Sequence, residues 1–436
     1  MKIRKNLSAD GLFQLVRQEF GKIKEHRVMN IEIGLSDALM SAFALFSLKE
    51  PSLLAFDQRR AKAENLGQVF GIENIPSDTQ MRTILDEVNP ESLRPVYKKV
   101  FQALQRGKVL EKMTFMGHYY LASIDGTGYF SSKKVHCEAC LQRKNKRTGE
   151  ITYTHQMLGI ALVHPDQKAV VPLMPEPIIK QDGAEKNDCE RNAAKRLLGK
   201  VHQDHPRLGL IIVEDALSAN APHIKAIKQY KYRLILGVKP GDHTYLFNYV
   251  EQAQTAGKTI EFEHTTTEGV THRFRFLNDA PLNESNLDVR VNFLEYWEVK
   301  GPKIQHFTWV TDFAITKNNA FDLMRGGRSR WKIENETFNT LKNQGYHFEH
   351  NFGHGKNHLS VVFALLMMLA FAVDQAQQLS CQLFQAAWDK AGSKRLLWER
   401  MRSLFYELPL ASMSAILRAI AYGFHIEGQI VIHDST

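Results

Sequence analysis

Two short apolar runs, each ending on an acid, set the strongest limit on how this chain can fold. Residues 119–125 read YYLASID and residues 208–215 read LGLIIVED. Both have the length and buried character of an interior strand. Between them Glu185–Val201 carries a helical pattern, and Ile151–Val163, Ala169–Pro175 and Tyr232–Val238 are further strand patterns. Strands interleaved with helices predict an α/β core with both sheet faces covered. In such a sheet, functional groups collect where strands end and loops begin. Asp125 and Asp215 are therefore expected at strand ends, each followed by a small residue, Gly126 or Ala216, that leaves room for a ligand.

The patterns on either side differ. Residues 1–115 read as helical: Leu12, Leu15, Val16, Phe20 and Ile23 recur at helical spacing, Leu35–Leu48 is an apolar helix, and Ser77 with Asp78 marks a helix start. A DNA-binding region and a packing domain are equally good accounts of it. The core is expected over 116–239 and 312–378. Residues 240–311 read as a β-rich insertion, with strands at Thr259–Glu263, His272–Phe276, Asn292–Val299 and Phe307–Thr311 and little helix between. Residues 379–436 read as a helical C-terminal region.

Composition narrows the class further. With 44% apolar and 24% charged residues in 436, the chain has the balance of a globular protein able to bury a large core. A net charge of +9 favours a polyanionic partner, through counterion release at each phosphate that a cation meets. Four cysteines are too few for a disulfide scaffold. No signal peptide is visible, and the longest apolar stretch, VVFALLMMLAFAV at 361–373, is shorter than the roughly 18–20 residues of a membrane span. A buried core helix, a cytoplasmic location and no membrane partner are expected.

The segment RGGRSRWKIENETFNTLKNQ places a third acid, Glu334, among Arg325, Arg328, Arg330, Lys332 and Lys342. Arg330 and Glu334 are four apart and share a helical face. Three clustered carboxylates suit Mg²⁺ or Mn²⁺, hard cations that take oxygen ligands. Two such ions activate an attacking hydroxyl and stabilise a leaving oxygen in phosphoryl transfer. Strand-end acids also cap helices and bind backbone amides, and a surface Arg–Glu pair is worth under about 1 kcal/mol.

The motifs IDGTG, VEDALSAN and RSRWKIENETFNTLK, in that order, resemble transposases of bacterial insertion sequences, of the insertion sequence 4 type. The resemblance covers roughly residues 115–375. It implies an RNase H-like α/β core with a β-rich domain inserted between the second Asp and the Glu, flanked here by helical N-terminal and C-terminal regions. It also implies DNA end cleavage and strand transfer, with Asp125, Asp215 and Glu334 as catalytic metal ligands. Double-stranded DNA is the implied partner, and a homodimer would bring two ends together. A nuclease without strand transfer and an inactive DNA-binding derivative are the alternatives. The family signature runs Tyr, two residues, Arg, three residues, Glu, six residues, Lys. Arg330 and Glu334 fit it, whereas Gly327 stands at the Tyr position and Leu341 at the Lys position, with Lys342 one step later. Glu336 competes as third acid. Related enzymes hold a flipped base on an aromatic residue; Trp297, Trp309 and Trp331 are candidates, each expected in the core.

Arg328, Arg330, Lys332 and Lys342 are expected to contact DNA phosphates, as are Arg143, Lys144, Lys146 and Arg147 in the basic loop KKVHCEACLQRKNKRTGE. That loop contains a CxxC pair, Cys137 and Cys140, which supplies half of a tetrahedral zinc site. Cys189 with His136 or His155 would complete it; a pair of ordinary thiols is the simpler alternative. His347, His350, His354 and His358 lie close together, but Gly353 and Gly355 break any single helical ligand face, so solvent or DNA contact is expected for them.

Overall fold

Continuous apolar runs in the central strands and well-placed helix caps build this protein. Its computed structural model describes residues 7–29, 31–60, 64–180 and 189–425. Twelve strands follow in chain order: β1 Thr114–Phe115, β2 Tyr119–Ser132, β3 Leu141–Lys144, β4 Ile151–His164, β5 Gln167–Pro172, β6 Glu176–Ile178, β7 Leu210–Glu214, β8 Arg233–Gly237, β9 Ile260–Thr265, β10 Val270–Pro281, β11 Arg290–Lys300 and β12 Lys303–Thr311. They form one mixed sheet in the order β3-β4-β2-β7-β8-β12-β11-β10-β9, with β1, β5 and β6 pairing to the side. Strands β2, β7 and β8 are parallel neighbours; β4 lies antiparallel to β2, and β12 antiparallel to β8.

The strand β7 is buried at every position, as a strand covered on both faces must be. Helices Glu190–Asp204 and Ala221–Gln229 follow β6 and β7 as crossovers. The expected start of the first of these, residues 185–188, lies outside the described residues. The four strands expected between 240 and 311 are present, extended at their ends, and join the main sheet through β12 against β8. A helix not expected there, Thr244–Thr255, precedes them and buries Leu246 and Val250. Leu246, Val250 and Ala253 recur at helical spacing, a signal that the reading of 240–311 as strands passes over.

Asp125 does not end its strand. It sits within the 14-residue β2, opposite Gly159 of β4, because β2 runs on through a bulge near Gly128 to Ser132. The glycine-rich IDGTG reads as a break, but pairing with the equally long β4 keeps it extended. Asp215 does follow its strand, and its side chain accepts from Leu217 N–H at 3.0 Å, capping a short 3₁₀ turn.

The N-terminal helices include Ala9–Phe20, capped by Ser8, and Asp78–Asp86, whose Ser77 forms a capping box with Gln80. Helix Leu35–Ser47 is buried at nearly every position and packs on the 22-residue helix Leu359–Ser380. That helix is long and apolar enough to cross a membrane by length and composition, yet its apolar window lies wholly inside the fold. Lys49, fully buried, pairs with Asp374 of the same helix and lies 3.8 Å over the Trp398 ring. N-terminal, central and C-terminal segments thus share one continuous apolar core.

Candidate functional site

The parallel register of β2 and β7 partners Ser123 with Val213, so continuing both strands brings Asp125 and Asp215 level. Both acids line a cleft of about 520 Å³, together with Glu190, Arg191, Glu214, Asn220 and His223. Glu334 is not among the residues lining that cleft and is linked to Asp125 through Arg330. It lies on Ile333–Phe338, a π-helical turn between Ala320–Arg328 and Asn339–Asn343. Such wide turns are rare and concentrate at functional positions.

Arg330 connects the two acids. Its Nη1 donates to Glu334 Oε1 at 2.8 Å and lies 3.5 Å from Asp125 Oδ2. Burial, then a hydrogen bond with the Glu334 carboxyl, raises the Asp125 pKa from 3.8 to about 7. The opposing influences are the Gly126 N–H, donated to Asp125 at 2.9 Å, and the Arg330 charge. Glu336 points elsewhere: its charge acts on Lys332 and Lys394. Of the two competing glutamates, Glu334 is therefore the one that meets Asp125.

A fourth carboxylate was not legible in the sequence. Glu190 stands at the start of its helix and packs on Gly126, so closely that a Cβ at 126 would fall 2.2 Å from Glu190 Oε1. The small residue after Asp125 thus makes room for Glu190 and leaves no open space. Burial, then the charges of Asp215 and Glu214, raises the Glu190 pKa. Glu214 is held by His223 at 2.5 Å on the buried side. No local pattern marks Glu190, since an acid in a first helical turn is ordinary.

The basic residues divide into two groups. Arg328 pairs with Glu298 at 2.6 Å, Lys342 pairs with Glu349 at 2.8 Å, and Lys332 donates to the Gln167 carbonyl at 2.5 Å. Arg330 is bound to the acids. By contrast Arg143, Lys144, Lys146 and Arg147 are all exposed on the β3–β4 hairpin.

The tryptophans do not all belong to the core. Trp309 is buried, Trp297 is half-buried against His306, and Trp331 is 51% exposed beside Arg330. Trp309 also accounts for Gly327: a Cβ at 327 would lie 2.4 Å from the indole Nε1, so a tyrosine has no space there.

The cysteine expectation is partly overturned. Cys137, Cys140 and His155 do meet, but their fourth neighbour is His354; Cys189 is exposed and lines the acidic cleft. His136 stacks on Tyr153 instead. His354 is itself buried, against the expectation of solvent or DNA contact. It gets there because Gly355 takes a left-handed φ of +69° and the chain wraps Asp86, which accepts N–H bonds from Lys356, Asn357, His358 and Leu359. Burial opposes ionisation of Asp86, and those four bonds outweigh it to lower its pKa. The four residues form a buried Cys₂His₂ cluster of a kind that can hold a metal such as zinc.

No family model matches the chain, and no curated protein matches it.

Proposed function

We propose that this protein is a DDE-type DNA transposase with an RNase H-like core, cutting DNA ends and joining them to a target. One observation carries the reading: Asp125 and Glu334, far apart in sequence, converge on the Arg330 guanidinium, 3.5 and 2.8 Å away, and Asp125 shares a cleft with Asp215. The parallel, adjacent strands that present the two aspartates support it.

Asp125, Asp215 and Glu334 offer the hard oxygen donors that Mg²⁺ or Mn²⁺ takes. Burial and a neighbouring carboxyl hold the proton on Asp125 despite the Arg330 charge, and a divalent cation bound there would displace it. A bound divalent cation supplies Lewis-acid stabilisation of the attacking and leaving oxygens. Arg330 keeps the carboxylates together until DNA arrives; its planar fork also suits a phosphate. Trp331, exposed beside it, offers a ring face on which a base can stack. The exposed hairpin cations Arg143, Lys144, Lys146 and Arg147 track the backbone without reading sequence.

The test is cleavage of the element's own terminal DNA with Mg²⁺, compared with EDTA, followed by supply of pre-cut ends and a target plasmid. Mg²⁺-dependent cleavage and joined products are expected, and Asp125→Asn abolishes both while sparing DNA binding. Cleavage without joining makes the protein a nuclease. DNA binding without any cleavage makes it an inactive derivative. Cleavage unaltered by Asp125→Asn removes the acids from the reaction.

A further inference from the structure

We propose that Cys137, Cys140, His155 and His354 hold one structural zinc ion, which staples the hairpin following Asp125 to the segment entering helix Leu359–Ser380. The four ligands come from three separate stretches of chain. Cys137 and Cys140 lie on a tight turn between β2 and β3, closed by Cys140 N–H donating to the Cys137 carbonyl at 3.2 Å. His155 lies on β4, opposite the irregular part of β2. His354 is brought in by the turn around Asp86.

Four of the six ligand-to-ligand spacings match a tetrahedral ion, and all six lie within 4.8 Å. The two sulfurs are 3.8 Å apart. His155 Nε2 is 3.4 Å from each sulfur, and His354 Nε2 is 3.3 Å from Cys140. Zinc with bonds of about 2.3 Å to sulfur and about 2.0 Å to nitrogen sets these edges at about 3.8 and about 3.5 Å. A disulfide needs its sulfurs about 2.05 Å apart, so the pair is held at metal-ligand spacing. Hydrogen bonding alone is a poor account of the cluster. The Cys140 sulfur, a weak donor and a weak acceptor, meets four polar neighbours: the Cys137 N–H, the Cys137 thiol and Nε2 of both rings.

Charge and surroundings agree. Zn²⁺ displaces one proton from each of two thiols, and the resulting complex with two neutral imidazoles carries no net charge. That balance suits a site whose four ligands are all buried, where an uncompensated ion is very costly. Phe130 packs on the His354 ring at 4.3 Å and Tyr129 stacks on His155, which keeps the centre dry. Four protein ligands leave no open position, which makes the site structural. The inference stands whether or not the acidic cleft cuts DNA.

The experiment is metal analysis of the full chain purified without added zinc, with the variants Cys140→Ser, His354→Asn and Cys189→Ser. Zinc near one per chain is expected in the unaltered protein and in Cys189→Ser, falling close to zero in the other two. If those two variants do not fold, the unaltered chain still decides. A dye chelator should report one zinc released on mercurial treatment of the thiols, and EDTA should raise the alkylation rates of Cys137 and Cys140 at least several-fold. Replacement by Co²⁺ should give the thiolate charge-transfer and tetrahedral bands. The proposal is overturned if the protein stays zinc-free after incubation with zinc. It is equally overturned if Cys137 and Cys140 are recovered as a disulfide, or if Cys189→Ser loses the metal while His354→Asn keeps it.

Discussion

Asp125 and Glu334 converge on one cation, the Arg330 guanidinium, which lies 2.8 Å from Glu334 and 3.5 Å from Asp125. One acid comes from the interior of a strand and the other from a π-helical turn. Two carboxyls brought this close cannot both ionise cheaply, and Arg330 relieves only part of the repulsion.

Stability without divalent cations should therefore fall with pH. The Asp125 pKa is raised in the fold, so the folded chain holds its proton more tightly than the unfolded chain does. Stability from this group is full below the ordinary value of 3.8, declines as pH rises to about 7, and is flat above. At pH 8 Asp125→Asn should stabilise the cation-free protein by about 1–2 kcal/mol in urea denaturation. Added Mg²⁺ should stabilise the unaltered protein and leave Asp125→Asn unchanged. A destabilised Asp125→Asn under these conditions would contradict the raised pKa.

Glu334 and Glu336 should separate cleanly. Glu334→Gln should lower Mg²⁺-dependent cleavage by at least about 100-fold, the scale on which loss of a charge-stabilising group acts. Glu336→Gln should stay within about threefold, because that side chain faces Lys332 and Lys394. Single-turnover rates on the terminal DNA provide the comparison, and a reversal of the order would assign the third acid to Glu336.

Neutralising Arg143, Lys144, Lys146 and Arg147 together should weaken DNA binding at every sequence alike. The slope of log affinity against log salt should become shallower by roughly 0.9 for each phosphate that is no longer neutralised. Fluorescence anisotropy across a salt series measures it. The same replacement of Lys342, already paired with Glu349, should change the slope little. An unchanged slope in the hairpin variant would place the DNA elsewhere.

Gly327 should not accept a side chain. Its Cβ would stand 2.4 Å from Trp309 Nε1 and 2.6 Å from the neighbouring indole carbon, both inside the packed core. Gly327→Ala should cost about 1–3 kcal/mol, as overpacking does, outweighing the gain in helix propensity of about 1 kcal/mol. Chemical denaturation of the variant decides, and a more stable Gly327→Ala would show that the indole yields.

Local period and punctuation along the chain carry a definite part of this fold. The interleaved strands and helices, the four strands of the inserted segment, the Ser77 cap and the pairing of Arg330 with Glu334 are all readable from neighbours a few positions apart, because caps, alternation and helical spacing act over that range. Tertiary structure decided what depends on segments meeting across the chain. It placed Asp125 inside a strand, because β4 pairs past the glycines; it set Glu334 and Asp125 on the same Arg330, exposed Trp331, and filled the space beside Gly126 with Glu190. It also replaced Cys189 with His354 in the Cys₂His₂ cluster. No spacing rule reaches from Cys140 to a histidine 214 positions away; only the turn of the chain around Asp86 puts that ring beside the thiols.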